Sequence, residues 1–156
     1  METSSMMPTL HHVGDLAVEV AAPLAIGETP QGLRRMVPII GGQVSGPRLS
    51  GRVLPGGGDY QLLRSDGTML LEARYLIELD DGALVHVDNR AIRRGSAEAM
   101  ARIAADLPVD PAEIYCRSSP VFETGAPQWR WLVDSIFVAR IVRQPERVMI
   151  SVFEVQ

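Results

Sequence analysis

Thr68-Met69-Leu70-Leu71-Glu72-Ala73-Arg74-Tyr75-Leu76-Ile77-Glu78-Leu79 is the stretch on which the fold class turns. Its odd positions, Met69, Leu71, Ala73, Tyr75, Ile77 and Leu79, are apolar or aromatic, while its even positions include Glu72, Arg74 and Glu78. Successive side chains of a strand point to opposite faces, so this period of two predicts a strand with one apolar and one charged face. In an open sandwich the charged face is wet. In a closed barrel whose apolar face is covered by an outer layer, the same alternation puts Glu72 and Arg74 into a polar lumen, and periodicity alone does not choose between the two.

Working outward, the stretch is bounded by Ser65-Asp66-Gly67 and Asp80-Asp81-Gly82, and Asp-Gly tolerates the positive φ of a tight hairpin. Gln144-Pro145-Glu146 joins a further pair of alternating runs. The 14 Gly and 11 Pro fall between short apolar runs and do not gather into a linker, which is the punctuation of an all-β domain. Strands are predicted at Leu10–Val20, Leu24–Gly27, Val37–Val44, Leu49–Leu54, Tyr60–Ser65, Thr68–Leu79, Ala83–Asn89, Ile114–Ser118, Ser135–Arg143 and Arg147–Val155. About ten strands in one small domain predict a barrel or sandwich built as a meander, with residues 1–9 as a tail and residues 10–156 as the domain. One segment departs from this. Ser96 to Asp106 reads as a short helix capped by Ser96, with Met100, Ile103, Ala104 and Leu107 on its apolar side and Pro108 and Pro111 ending it, placed over an open end or a side of the sheet.

Composition removes several chemistries. All 15 positive charges are Arg, so Schiff-base catalysis, pyridoxal attachment and a phosphate-loop lysine are excluded. The single Cys116 excludes intrachain disulfides and multi-cysteine metal sites, and it reads as a buried, inert thiol. His11 and His12 are neighbours that point to opposite faces, and His86 lacks a second ligand at a recognisable spacing, so no metal site is expected. A net charge of −4 with scattered arginines gives no footprint for nucleic acid. Neither a membrane span nor a secretory leader is legible, which predicts a cytoplasmic protein with no membrane partner.

Two segments have a more particular spacing. The first is Pro38-Ile39-Ile40-Gly41-Gly42-Gln43-Val44-Ser45-Gly46-Pro47, followed by Leu49-Ser50-Gly51 and Leu54-Pro55-Gly56-Gly57-Gly58-Asp59-Tyr60-Gln61. The second is Arg117-Ser118-Ser119-Pro120-Val121-Phe122-Glu123-Thr124-Gly125, followed by Trp131-Leu132-Val133-Asp134. With Asp66-Gly67, Glu72-Ala73-Arg74-Tyr75 and Asp81-Gly82, this order resembles the bacterial and fungal family catalogued as domain of unknown function 3237, or uncharacterised protein family 0311, from about Leu10 to Val155. The resemblance implies a small antiparallel calycin-like β-barrel that holds a small molecule in its mouth, and it carries no settled activity. The residues at the family's recurrent polar positions are Asp59, Arg74, Arg117, Glu123 and Trp131; Asp134 stands where the family often has Asn.

The chemistry expected from these residues is acid-base and anionic. Gly56-Gly57-Gly58 would bring the backbone close to a ligand with Asp59 projecting towards it. Arg74 shares a face with Glu72, and a guanidinium in an enclosed lumen needs a carboxylate from Glu72, Glu123, Asp59 or a ligand. Glu123, beside Phe122 and near Trp131, is a candidate general acid or base. No G-x-S-x-G elbow occurs. The resulting expectation is a barrel that binds a partly apolar organic molecule bearing a carboxylate or carbonyl, without any cofactor. Arg74 and Arg117 are its anchors, Asp59 and Glu123 its hydrogen-bonding groups, Trp131 a wall, and Glu72 and Tyr75 further ligand-binding residues. The alternative makes the same pocket a cofactor-free isomerase, lyase or cyclase in which Asp59 or Glu123 moves a proton while Arg74 holds an oxyanion. The apolar C-terminal hairpin, Ile136 to Val155, offers an edge through which two copies would form a homodimer.

Overall fold

Strands form where the sequence alternates and stop at Gly, Pro or Asp-Gly. In the computed structural model, which describes residues 6–156, they are β1 (Leu10–Val20), β2 (Leu24–Thr29), β3 (Gly32–Ser45), β4 (Gly51–Val53), β5 (Gly57–Leu63), β6 (Met69–Leu79), β7 (Leu84–Gly95), β8 (Ile114–Glu123), β9 (Ile136–Arg143) and β10 (Arg147–Val155). Two short helices, α1 (Ala97–Ala104) and α2 (Trp131–Asp134), interrupt the meander. Residues 1–5 of the expected N-terminal tail lie outside the described residues.

The ladder runs β1-β10-β9-β8-β7-β6-β4-β3, and β3 pairs back onto β1, so the sheet closes into an antiparallel barrel. β4 and β5 share one slot in the wall, because residues 33–39 of β3 face β5 whereas residues 42–44 face β4. β6 meets β5 and β4 in the same succession on the other side. The change-over needs Gly57: a Cβ there would lie 2.5 Å from both the Arg74 carbonyl oxygen and the Tyr75 Cβ. Within the glycine run before Asp59, Gly57 is therefore required by the strand crossing.

Closure without an outer layer settles the choice left open by the alternation of β6. The apolar parity faces inward and the charged parity faces solvent, as the alternately buried and exposed residues of β6, β7 and β8 record. One end of the barrel is packed solid. Val13, Leu16, Leu49, Ile77, Leu79, Val85, Leu132 and Phe137 are fully buried there, and Phe122 meets Phe137 edge-on with ring centroids 5.0 Å apart. Helix α2 and the 3-10 turn Pro127–Trp129 before it form the floor of this end, an element absent from the sequence expectation. Trp129 Nε1 ties it to the β6–β7 turn by donating to Asp81 Oδ2 at 2.8 Å.

Helix α1 lies at the other end, between β7 and β8. Ser96 caps it as expected, its Oγ accepting from the Ala99 N–H at 3.1 Å. The helix buries Ala99 and Ile103, with Met100 half-buried, while Ala104 and Leu107 face solvent. The stripe is shifted from its expected position because the helix stops at Ala104 and Asp106, at φ 56, turns the chain away. The edge expected of the β9–β10 hairpin is taken up in the wall: β10 pairs with β1 and β9, and β9 meets β8 around Ser118 and Ala139. Among the described residues, no helix is long and apolar enough to cross a membrane.

Candidate functional site

Opposite the packed end, the barrel is hollow. The cavity measures about 940 Å³, and its rim is formed by Glu19 to Pro23, Asp106 and the β9–β10 turn from Arg143 to Arg147. Three cross-strand rows show why it is there. One row runs Val37, Asp59, Ala73, Asn89; the next Arg35, Gln61, Leu71, Ala91, Ser118; the third, nearest the mouth, Leu33, Leu63, Met69, Arg93, Cys116. Ala73 and Ala91 fall in the middle of the first two rows, and a methyl group cannot fill a barrel of this girth. In the floor direction the same strands carry Tyr75, Ile77, Val87 and Val85, and the space closes.

Polar side chains interrupt the apolar parity in these rows of the hollow, and once more at the far end of β10, where Glu154 is buried against Arg48. Arg35 Nε donates to Gln61 Oε1 at 2.6 Å, and Gln61 Nε2 donates to Asp59 Oδ2 at 2.8 Å. Asp59 Oδ1, Asn89 Oδ1 and Ser118 Oγ are enclosed without a hydrogen-bond partner. Arg93 and Asn89 are each only 3% exposed. At the rim, Arg143 pairs with Asp106, joining β9 to the end of α1. A second hollow of about 280 Å³ lies under the α1–β8 loop, where the β8–β9 ladder is short, and Arg93 borders both.

The lining carries Arg35, Arg93, Arg143 and Arg147 together with Glu19, Asp59, Asp106 and Glu146, and of these Arg35, Arg93 and Asp59 belong to the inner rows. Burial pushes the Arg35 guanidinium below its ordinary value, with Arg93 and Arg143 acting in the same direction and Asp59 and Asp106 in the opposite one. Burial likewise pushes the Asp59 carboxyl up, against the Gln61 hydrogen bond and the attraction of Arg93 and Arg35. Tyr75 is raised by burial and then by Asp59, so its phenol stays protonated. The Cys116 thiol is raised by burial against a pull from Arg93, which makes it an unreactive wall.

Of the residues the sequence suggested, Asp59 and Tyr75 line the hollow. The other five do not, and their expected place in the lumen is corrected. Arg74 is 62% exposed on the outer face, 3.6 Å from Asp88 across the β6–β7 ladder. Glu72 is exposed on the same face, opposite Arg90. Arg117 is exposed on β8, donates to the Cys116 carbonyl at 3.0 Å and lies 5.5 Å from the Tyr115 ring centroid. Glu123 ends β8 on the outside, in register with His86. Trp131 belongs to the floor, where its ring lies 6.0 Å from Phe137 and 3.8 Å beneath the Arg48 guanidinium. The cause is common to the four charged residues: each has the outward parity of its strand, and a barrel with no outer layer leaves that parity wet. Asp134, the departure from the family pattern, is met by Arg130 Nε at 3.0 Å one helical turn away.

Arg35, Gln61, Asn89 and Arg93 are the lumen residues that the sequence reading missed. A signal existed: Val85, Val87, Asn89, Ala91 and Arg93 share one parity, as do Arg35, Val37 and Ile39. Polar residues on the apolar parity were the ones to single out.

The comparisons with known proteins agree with this architecture. The profile of the family described as "Protein of unknown function (DUF3237)" matches residues 8–155. A UPF0311 protein of Rhodopseudomonas palustris is 41% identical over 152 residues, covering 96% of this chain and 99% of its own length. The crystal structure of a conserved protein of unknown function from the same species superposes with a TM-score of 0.90 at 41% identity, over 96% of this chain and all of that one, 100%. A β-barrel-like protein from Acinetobacter baumannii superposes with a TM-score of 0.84 at 33% identity, over 96% of this chain and 97% of its own. Strand order, the closed barrel and near full-length matches together show that this chain belongs to the DUF3237 (UPF0311) family of proteins of unknown function.

Proposed function

We propose that this chain binds a small, partly apolar organic molecule in the barrel lumen and that a carboxylate or carbonyl of that molecule lies against Arg35 and Arg93. The supporting observation is the imbalance of charge in the enclosed part of the cavity, where two guanidinium groups face the single carboxylate of Asp59. Buried cations without full counter-charge are costly, and an anionic ligand offsets that cost. Val18, Val37, Ile39, Leu71 and Ile150 give the apolar walls, and the volume suits a ligand of drug-like size. In this reading Asp59 and Tyr75 keep the ligand-facing roles expected of them, and Arg35 and Arg93 replace Arg74 and Arg117 as anchors. The mode of binding is calycin-like.

The test is native mass spectrometry of freshly purified protein for a co-purifying molecule, together with titration of 3-phenylpropanoate into the parent and Arg93→Met. The variant is expected to bind at least about tenfold more weakly, the scale of a lost charge-assisted hydrogen bond. Equal affinity in the two proteins sinks the reading.

The enclosed Asp59 carboxyl, with one oxygen free, favours a second reading: a cofactor-free isomerase, lyase or cyclase in which Asp59 moves the proton and Arg93 holds the developing oxyanion. Solvent deuterium entering the co-purifying molecule in the parent, and not in Asp59→Asn, supports it. No exchange in the parent removes it.

A further inference from the structure

The smaller hollow opens off the lumen where the barrel wall parts. β8 pairs with β7 from Glu123 to Ile114, and β9 pairs with β10 as far as Arg143, whereas the ladder joining β8 to β9 consists of Arg117–Arg140 and Ser118–Ala139. Extending that register by one residue sets Cys116 opposite Ile141, where the pairing has ended. The wall therefore splits at the level of Arg93, which is in register with Cys116. The space beyond the split measures about 280 Å³ and is lined by Leu107, Pro108 and Val109 of the α1–β8 loop. Arg93, Ile141 and the Arg143–Asp106 pair border both hollows, which makes the smaller one an annex of the lumen.

We propose that the ligand is a carboxylate branched at the carbon next to its carboxyl group, with the longer arm in the lumen and a short aliphatic branch in the annex. This deepens the lumen reading above and rests on it. A carboxylate held against Arg93 stands at the junction, so the two substituents of the neighbouring carbon have a hollow each. At about 280 Å³ the annex falls just short of the roughly 300 Å³ at which pockets take a whole small molecule, which suits one part of a ligand whose remainder lies elsewhere. Its lining selects the part. Away from the junction, Ile103, Leu107, Pro108, Val109, Ile114 and Val142 give aliphatic surface, and the Cys116 thiol is at most a weak donor. A polar branch would lose its water there with little to replace it, whereas an aliphatic branch gains by leaving water. Leu107 and Val109 are then specificity residues, which border the annex and not the lumen and set the size of the branch.

The test uses the full chain and three carboxylates, titrated calorimetrically: 3-phenylpropanoate; 2-benzylbutanoate, which adds an ethyl branch and is used as its better-bound enantiomer; and 5-phenylpentanoate, the unbranched isomer of the second. The branched compound is expected to bind about tenfold more tightly than 3-phenylpropanoate, the scale of burying two carbons. Val109→Trp, which fills the annex, is expected to cancel that gain and to leave both unbranched compounds at parental affinity. Leu107→Trp, at a position 54% exposed, serves as the measurement should Val109→Trp fail to fold. If 2-benzylbutanoate binds no more tightly than 3-phenylpropanoate, or if the folded tryptophan variant spares it or weakens all three compounds alike, the branch inference is overturned. The lumen reading stands in those cases as long as Arg93→Met weakens binding. Binding of none of the three, or binding that ignores Arg93→Met, overturns both.

Discussion

The two ends of this barrel are built from the same strands with the same alternation, and they do opposite things. Towards the floor, inward positions carry Leu16, Ile77, Leu79, Val85 and Phe137, and the interior is full. Towards the mouth, inward positions carry Arg35, Asp59, Gln61, Asn89 and Arg93 around Ala73 and Ala91, and the interior is hollow with polar groups set among apolar walls. The difference lies in side-chain volume and polarity at a few positions, since pairing and parity continue unbroken from one end to the other. Stability and ligand chemistry are thereby housed apart on one sheet, and changes at one end should leave the other alone.

Three changes test that division. The largest effect is expected from Leu132→Ala in the floor: Leu132 is 1% exposed, and truncating a buried Leu costs about 2–5 kcal/mol. Denaturant unfolding measures it, and the remaining folded fraction should bind 3-phenylpropanoate with parental affinity. A loss below about 1 kcal/mol would mean that α2 is an appendage and the floor lies elsewhere.

Asp59→Asn is expected to have a smaller effect, of opposite sign near neutral pH. The folded-state pKa of Asp59 is raised by burial, so the native protein holds its proton more tightly than the unfolded chain. The group then costs stability progressively as pH rises from the ordinary carboxylate value, near 4, up to its folded value, and that cost is constant above it. Asparagine has no charge to desolvate. The variant should therefore melt higher than the parent at pH 7, and the gap should close below pH 4. A gap that widens on acidification contradicts the enclosed carboxyl.

The smallest effect belongs to Arg74→Ala. The Arg74–Asp88 pair is solvent-exposed on the cation side, and exposed pairs contribute less than about 1 kcal/mol. Thermal melting should shift by no more than a few degrees, and affinity for 3-phenylpropanoate should not change. A lost ligand would return Arg74 to the site and break the assignment of the two faces.

Much of this fold was legible in the sequence. The Asp-Gly turns at Gly67 and Gly82, both at positive φ, bound β6 where expected, and β1 and β10 begin and end at the predicted residues. What escaped was tertiary. Residues 90–95 continue β7, and residues 119–123 continue β8, through Arg90, Arg93, Arg94 and Pro120, residue types that argue against a strand until a neighbouring ladder fixes them. Helix α2 is a four-residue segment with too little sequence to show a period. Charge is dense at Glu72, Arg74, Arg117 and Glu123 because the outward parity is wet, whereas the lumen is marked by the rare polar residue on the otherwise apolar parity. Asp59 is marked in the sequence by the glycine run before it, of which Gly57 serves the strand crossing.

The floor sealed by α2 has a kinetic corollary. A vessel with one opening admits and discharges through the same aperture, so a guest's last part to enter is its first to leave, and nothing passes through from end to end. Any second reactant would have to share that doorway, bridged by Arg143 and Asp106, with the resident molecule. Residence times should therefore respond to substitutions at this bridge even where equilibrium affinity does not.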